Sequence, residues 1–142
     1  MQALEIGRAE VRRTGQTVAL LAFGSMVAPA EQIAAELDAT VINMRFVKPL
    51  DEHTVLQAAE SHELVVTIEE NALPGGAGEA VNSCLTRHRV RVDVHNIGLP
   101  DRFIGHGTRG DQLADARLDP DSLRTDIEAL MAERARQRQR HA

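Results

Sequence analysis

The feature that most constrains this chain is a regular alternation between two kinds of segment. Short runs rich in β-branched and apolar residues lie at 18–23, 40–44, 64–68 and 90–97. Between them are longer stretches in which apolar residues recur at helical spacing. Segments of these lengths in this order predict a parallel sheet whose strands are joined by right-handed crossover helices on both faces.

The apolar character of each run predicts its position in the sheet. Residues 18–23 and 64–68 are almost continuously apolar, as expected of strands that are covered on both faces. Valines alternate with polar residues at 90–95, which favours an edge strand. A short alternation at 9–12 has no helix between it and the next strand, so we expect it to form the opposite edge and to run antiparallel. The predicted fold is a three-layer α/β/α domain with a five-stranded, mostly parallel sheet and an antiparallel N-terminal edge strand.

The last helical stripe sets the predicted end of the domain. It follows Asp119 and Pro120, which are typical of a helix N-cap and first helical position, and it ends at Met131. We therefore predict one domain over residues 1–131 and a basic, frayed tail over residues 132–142. The tail could also bind an acidic partner. Its alternating arginines are Arg134, Arg136, Arg138 and Arg140.

Composition disfavours several classes of function. The formal net charge of -5 disfavours nucleic-acid binding, and the 2% aromatic content disfavours base-stacking surfaces. The single cysteine excludes an intrachain disulfide and suits a reducing compartment. The N-terminus lacks the pattern of a secretion signal, and no apolar stretch approaches the ~20 residues that cross a bilayer. We expect a cytoplasmic protein with neither a nucleic-acid nor a membrane partner.

Ligands of open parallel sheets bind at the carboxyl ends of the strands. Three loops meet at that edge in this chain, at residues 24–26, 69–78 and 98–107, and they hold its most mixed chemistry. The residues that we select there as ligand-lining or interface-lining candidates are Glu69, Glu70, Asn71, Gly75, Gly76, Gly78, Asp101, Arg102, Phe103 and His106.

The glycine-rich loop allows two interpretations. Residues 75–78 enter a helix, so their free amides could bind an anion. Glu69 and Glu70 stand directly upstream, where they would repel a phosphate, so we favour a tight turn that lets the helix pack closely on the sheet. Adjacent residues on an extended chain point to opposite sides. The two glutamates are therefore not expected to share a substrate, and we favour a role in which one of them caps loop amides or pairs with an arginine.

The loop at residues 101–107 also has two interpretations. Arg102 could clamp a phosphate or carboxylate, and His106 could relay a proton. The alternative is that Arg102 pairs with Asp101, Glu69 or Glu70, while Phe103 anchors the loop in the core or in a neighbouring subunit. We favour this structural interpretation.

Two further candidates are weaker. Cys84 and His88 lie one helical turn apart, a spacing that can hold zinc, but two ligands do not complete a site and both fall on an apolar stripe. We therefore expect them to pack, and we predict no metal site. Ser25 follows a strand but lacks the glycine pattern of a nucleophile elbow, so we expect it to cap a helix.

Four motifs, taken together, resemble a known family. They are ALLAFGSMV at 19–27, NMRFVKPLD at 43–51, EEN at 69–71 with PGGAG at 74–78, and GLPDRFI at 98–104. In this order they resemble the C-terminal domain of 1-deoxy-D-xylulose-5-phosphate synthases, and the likeness runs from about residue 3 to about residue 131.

The resemblance implies a function for the parent protein rather than for this chain alone. Such synthases condense pyruvate with glyceraldehyde 3-phosphate and release carbon dioxide, which supplies isoprenoid and thiamine biosynthesis. Their thiamine diphosphate and Mg²⁺ lie between two other domains, and the C-terminal domain helps to hold the dimer. The expected function is therefore a structural and dimerisation domain of a transferase that is inactive alone, binds no cofactor itself and has no catalytic residue. Its expected partners are the other domains of the parent chain and a second subunit.

Two other functions stay open from the sequence. The chain could be a free-standing regulatory module that binds a phosphorylated metabolite at residues 75–78 and Arg102. It could also be the equivalent domain of a 2-oxoacid dehydrogenase β subunit. For a domain that docks on larger neighbours, we further expect a contiguous apolar patch and self-association in isolation.

Overall fold

A computed structural model of the protein describes residues 3–100 and 107–141. Its centre is a five-stranded sheet in the order β1-β3-β2-β4-β5. β1 pairs antiparallel with β3, and the other neighbouring strands are parallel. The strands are β1 (Glu10–Arg13), β2 (Ala19–Ala22), β3 (Thr40–Asn43), β4 (Leu64–Ala72) and β5 (Asp93–Leu99). The predicted fold, including the antiparallel N-terminal edge strand, is confirmed.

Helices cover both faces of the sheet. A 3-10 turn at Gly24–Met26 leads from β2 into the first helix. The α-helices are α1 (Val27–Leu37), α2 (Glu52–Ser61), α3 (Ala77–Arg87), α4 (Arg109–Asp115) and α5 (Pro120–Arg140). None of the helices within the described ranges is both long enough and apolar enough to cross a bilayer.

The period-2 alternation of the central strands divides the core into two layers. In β4, Val66 and Ile68 pack in the layer that contains α1 and α5, whereas Val65 packs in the layer that contains α2 and α3. β2 alternates in the same way, with Leu20 on the first side and Leu21 on the second. The side on which a residue of β4 lies therefore follows from its position in the strand.

Three element boundaries differ from the sequence prediction. β5 begins at Asp93 rather than at residue 90, because Arg89 adopts positive φ and the Val90 amide hydrogen-bonds the Leu85 carbonyl to close the end of α3. β4 continues past residue 68 to Ala72, with a register shift against β5. α4 was missed because none of its residues is buried and a capping box, not an apolar stripe, defines its start.

The basic tail is helical in the structure. α5 continues past Met131 to Arg140, and Arg134 pairs with Asp93 at the start of β5 and with Glu63 at 3.7 Å. The predicted fraying concerns motion and stays a prediction.

Asp51 connects the N-terminal strand to α2. Its carboxylate accepts hydrogen bonds from the Thr54 amide at 3.1 Å, as the N-cap of α2, and from the Ala9 amide at 2.8 Å. Burial by itself raises the pKa of Asp51, but the hydrogen bonds from Ala9 and Thr54 outweigh it and hold the pKa below its ordinary value. One carboxylate thus fixes the position of β1 and the start of a helix.

We predict that Asp51→Asn lowers the free energy of unfolding at pH 7 by about 1–2 kcal/mol, because the single amide oxygen keeps the cap at Thr54 while the NH₂ group cannot accept from the Ala9 amide. A depressed carboxyl pKa stabilises the fold above the unfolded pKa of about 3.9 and ceases to do so as pH falls through the folded pKa. The difference between wild type and variant in urea denaturation should therefore shrink below pH 4. Asp121→Asn, at an exposed site in α5, is the control and should change stability by less than about 0.5 kcal/mol. A pH-independent difference for Asp51→Asn would contradict the assignment.

Candidate functional site

The candidate site lies where β2, β4 and β5 end at the carboxyl edge of the sheet. The 3-10 turn Gly24–Met26, the end of β4 and the start of α3 meet there. The Phe23 amide donates to the Ile68 carbonyl at 3.0 Å, which holds the first turn against β4. This is the edge at which the sequence predicts the functional residues.

Glu69 is the most buried charged residue in the described part of the edge. Its side chain is fully buried, and its two oxygens accept hydrogen bonds from the Ala77 amide at 2.6 Å and the Gly78 amide at 3.0 Å. These amides belong to the first turn of α3 and have no partner within the helix. The negative charge also lies at the positive end of the helix dipole. A carboxylate of the chain itself therefore occupies the position at which a helix N-terminus would bind an anion.

The glycines of the loop provide the space that Glu69 needs. A Cβ at Gly76 would lie 2.5 Å from Oε1 of Glu69, and a Cβ at Gly78 would lie 2.8 Å from Oγ1 of Thr67. Gly75 has φ +73°, and its amide donates to Glu79 at 2.8 Å. Larger side chains at residues 76 and 78 would separate α3 from the sheet, so the geometry is that of the predicted tight turn.

A polar network that the sequence analysis missed supports this packing. The Asn96 amide group donates to Oγ1 of Thr67 at 2.7 Å, and Asn82 donates to Oδ1 of Asn96 at 2.7 Å. Thr67 and Glu69 share the same face of β4, and α3 crosses over both. The network could have been predicted from Thr67, a polar residue inside an otherwise apolar buried strand, because a buried hydroxyl needs a hydrogen-bond partner.

Glu70 lies on the opposite face of β4. Arg109, the first residue of α4, holds its carboxylate with two hydrogen bonds of 2.8 and 2.7 Å, and the Ser25 hydroxyl donates to it at 2.5 Å. The hydrogen bonds from Arg109 and Ser25 lower the pKa of Glu70. Ser25 makes no helix cap, so that prediction is wrong: the neighbouring carboxylate is the better acceptor.

Four of the predicted site residues lie outside the described residues, and their roles stay predictions. They are Asp101, Arg102, Phe103 and His106. Within the described part of the chain, the arginine that pairs with Glu70 is Arg109.

Asn71 belongs to the last residues of β4 and is exposed. Its carbonyl oxygen would lie 2.8 Å from a Cβ at Gly98, so that glycine allows the two strand ends to come close.

The two glutamates do not form an acid–base pair. Glu69 binds the amides of α3 on one face of the sheet, and Glu70 binds Arg109 and Ser25 on the other. Paired carboxylates act together only when both reach one substrate. The arrangement fixes the positions of α3, α4 and the turn after β2.

Glu52, Cys84 and His88 form a second cluster, away from this edge. One ligand atom from each lies within 4.8 Å of the others. Burial, together with the nearby Glu52 carboxylate, raises the pKa of the Cys84 thiol to about 11, so the metal-free thiol is protonated at neutral pH. Cys84 and His88 could be paired from their spacing in the sequence, whereas Glu52 could not, since that residue comes from a different helix.

The fold and this edge define a class of domain, and comparison with known proteins agrees. The family model described as "Transketolase, C-terminal domain" matches residues 7–123. The chain belongs to the transketolase C-terminal domain family. Among solved structures, "Split gene transketolase, inactive beta4 tetramer" has a TM-score of 0.82 at 28% identity, over 91% of this chain and 44% of that one.

Curated relatives are 1-deoxy-D-xylulose-5-phosphate synthases. The protein of Nitrosococcus oceani is 52% identical over 123 residues, which are 87% of this chain and 19% of the relative. The protein of Pseudomonas putida is 49% identical over 132 residues, which are 93% of this chain and 21% of the relative. The resemblance read from the four motifs is confirmed, and the chain spans about a fifth of the length of the curated relatives that it matches.

We predict that Glu69→Gln lowers the free energy of unfolding by about 2–3 kcal/mol, because the amide group leaves one buried N–H of α3 without an acceptor. Urea denaturation measures the loss. The matched control is Glu70→Gln, one residue away in a more exposed ion pair, which should cost less than about 1 kcal/mol. Equal losses in the two variants would show that the buried cap has no special role.

Proposed function

We propose that this chain is the C-terminal structural domain of a transketolase-type transferase that resembles 1-deoxy-D-xylulose-5-phosphate synthase. The parent condenses pyruvate with glyceraldehyde 3-phosphate, and this domain holds the subunits of a homodimer together and is inactive alone. The observation that carries the proposal is the identity of about 50% over some 90% of the chain, within relatives about five times as long.

The identity levels favour this synthase over a 2-oxoacid dehydrogenase β subunit. Relatives from Methylobacillus flagellatus and Chromohalobacter salexigens, at 52% and 50% identity, carry the synthase name as well. A split transketolase of the same fold is described as an inactive beta4 tetramer. That description supports a domain that assembles into oligomers but has no catalytic activity of its own.

The described residues of the carboxyl edge disfavour a thiamine diphosphate site on this face. A diphosphate at this edge would need free amides or cations, and the amides at the start of α3 already bind Glu69. Arg109 is paired with Glu70, so it is not free to neutralise a phosphate. These contacts support our proposal that the cofactor and its Mg²⁺ bind the other domains of the parent.

The same contacts disfavour a free-standing module that binds a phosphorylated metabolite. Such a module would use the amides of residues 75–78, but Gly75 donates to Glu79, while Ala77 and Gly78 donate to Glu69. A phosphate would have to displace two carboxylates of the same sign.

The β1 edge of the sheet supports a docking role. The large exposed apolar side chains in the described part of the chain are Leu4, Ile6, Val11 and Val47, all in or near the segments that flank this edge. Val11 lines a groove of about 420 Å³ between β1 and α2, together with Ile42 and His62. About four-fifths of each relative lies outside the match, and we assign the covering of this edge to the other domains of the parent.

The activity proposal is tested with two proteins. The isolated 142-residue chain should give no 1-deoxy-D-xylulose 5-phosphate from pyruvate and glyceraldehyde 3-phosphate with thiamine diphosphate and Mg²⁺. A chimera of the Nitrosococcus oceani synthase, in which this chain replaces the matched residues, should form a dimer and turn over. Turnover by the isolated chain, or a folded chimera that neither dimerises nor reacts, would overturn the proposal.

The docking proposal predicts self-association of the isolated chain. Sedimentation velocity should show a concentration-dependent shift above the monomer, because apolar side chains at an open strand edge associate when nothing covers them. Ile6→Lys with Val11→Lys should return the chain to a monomer, whereas Thr125→Lys with Ala129→Lys, at exposed positions of α5 away from this groove, should not. A wild-type chain that stays monomeric at the highest concentration measured would contradict the docking assignment.

A further inference from the structure

A cluster of three different metal-binding groups lies between α2 and α3, separate from the carboxyl edge. Glu52 is the first residue of α2, whereas Cys84 and His88 lie one helical turn apart at the end of α3. One donor atom from each of the three lies within 4.8 Å of the others. The two helices pack in the same core layer, so their contact fixes the spacing of the donors.

The distances approach those of a metal site. Ligands of tetrahedral zinc, at about 2.0–2.3 Å from the ion, lie about 3.3–3.8 Å from one another. Nε2 of His88 is already 3.8 Å from Oε2 of Glu52. All three donor atoms lie within 4.8 Å of one another, so the widest gap exceeds the spacing of zinc ligands by about 1 Å.

One of the three groups is buried and the other two are partly exposed, so an ion could reach the cluster from solvent. Cys84 is fully buried and forms the floor, whereas the side chains of Glu52 and His88 are 38% and 42% exposed and form the rim. An ion on this floor keeps one position facing solvent. Three protein ligands with water in the fourth position are a common arrangement of zinc.

Arg87 leaves one carboxylate oxygen available. Its guanidinium hydrogen-bonds Oε1 of Glu52, while Oε2 faces His88. Arg87 therefore holds the Glu52 carboxylate as an outer-shell partner, in the way that such partners orient metal ligands.

We propose that Glu52, Cys84 and His88 bind a Zn²⁺ ion that joins α2 to α3. A thiolate, an imidazole and a carboxylate together favour zinc over Mg²⁺ or Ca²⁺, which prefer oxygen ligands alone. Binding releases the Cys84 thiol proton to solvent as the sulfur–metal bond forms. The site is independent of the proposed transferase function.

Cobalt titration of the reduced, metal-stripped 142-residue chain tests the site. Co²⁺ should give a thiolate charge-transfer band and the visible bands of four-coordinate cobalt, and one equivalent of Zn²⁺ should bleach both. Cys84→Ser should abolish the charge-transfer band. Glu52→Gln and His88→Ala, which change partly exposed side chains and preserve the fold, should each weaken Co²⁺ binding by at least about tenfold.

The control is His53→Ala, which removes an exposed imidazole next to Glu52 but outside the cluster, and it should bind Co²⁺ like wild type. Circular dichroism verifies that each variant is folded. The proposal is overturned if wild type gives no charge-transfer band. It is equally overturned if folded Glu52→Gln or His88→Ala binds within tenfold of wild type, since the ion would then be held adventitiously by the thiol.

Discussion

The arrangement of this domain depends on one buried carboxylate. Glu69 ends the apolar part of β4 and binds the first amides of α3, so it joins the sheet to the helix that covers it. A buried charge is tolerated only when its hydrogen bonds are satisfied, and the helix N-terminus supplies both the donors and a favourable dipole. The glycines at 76 and 78 follow from this contact, because a side chain at either would meet Glu69 or Thr67.

The alternation of β4 explains why its two glutamates act apart. Glu69 follows Val65 and Thr67 on the face that α2 and α3 cover, while Glu70 follows Val66 and Ile68 on the face of α1 and α5. Glu70 reaches Arg109 and so positions α4 over the end of the strand. Two adjacent residues of β4 thus each hold one helix in place, Glu69 on one face of the sheet and Glu70 on the other.

Much of the fold could be predicted from the sequence, because the central strands are continuously apolar and the helices between them carry clear stripes. The antiparallel edge strand followed from the missing crossover, and the cap at Asp119 followed from its position before Pro120 and a helical stripe. α4 could not be found in this way, since it buries no residue and depends on the capping box between Thr108 and Asp111.

The candidate site was less accessible to sequence reasoning because its contacts are distant in the chain. Ser25 and Arg109 lie 45 and 39 residues from Glu70, and no local pattern indicates that they meet. The same reason hid Glu52, which comes close to Cys84 only when α2 packs on α3. That Glu69 and Glu70 separate could be inferred, since it requires only the period of a strand.

Within the described residues, the start of α3 is a structural contact in which a carboxylate of the chain occupies the position of an external anion. Titration of the ¹⁵N-labelled chain with pyrophosphate, followed through the amide resonances of Ala77 and Gly78, probes this contact at its two donors. Neither resonance should move beyond the shift produced by sodium chloride at equal ionic strength. A saturable shift of both resonances would show the opposite, because the amides would then be exchanging Glu69 for the added anion.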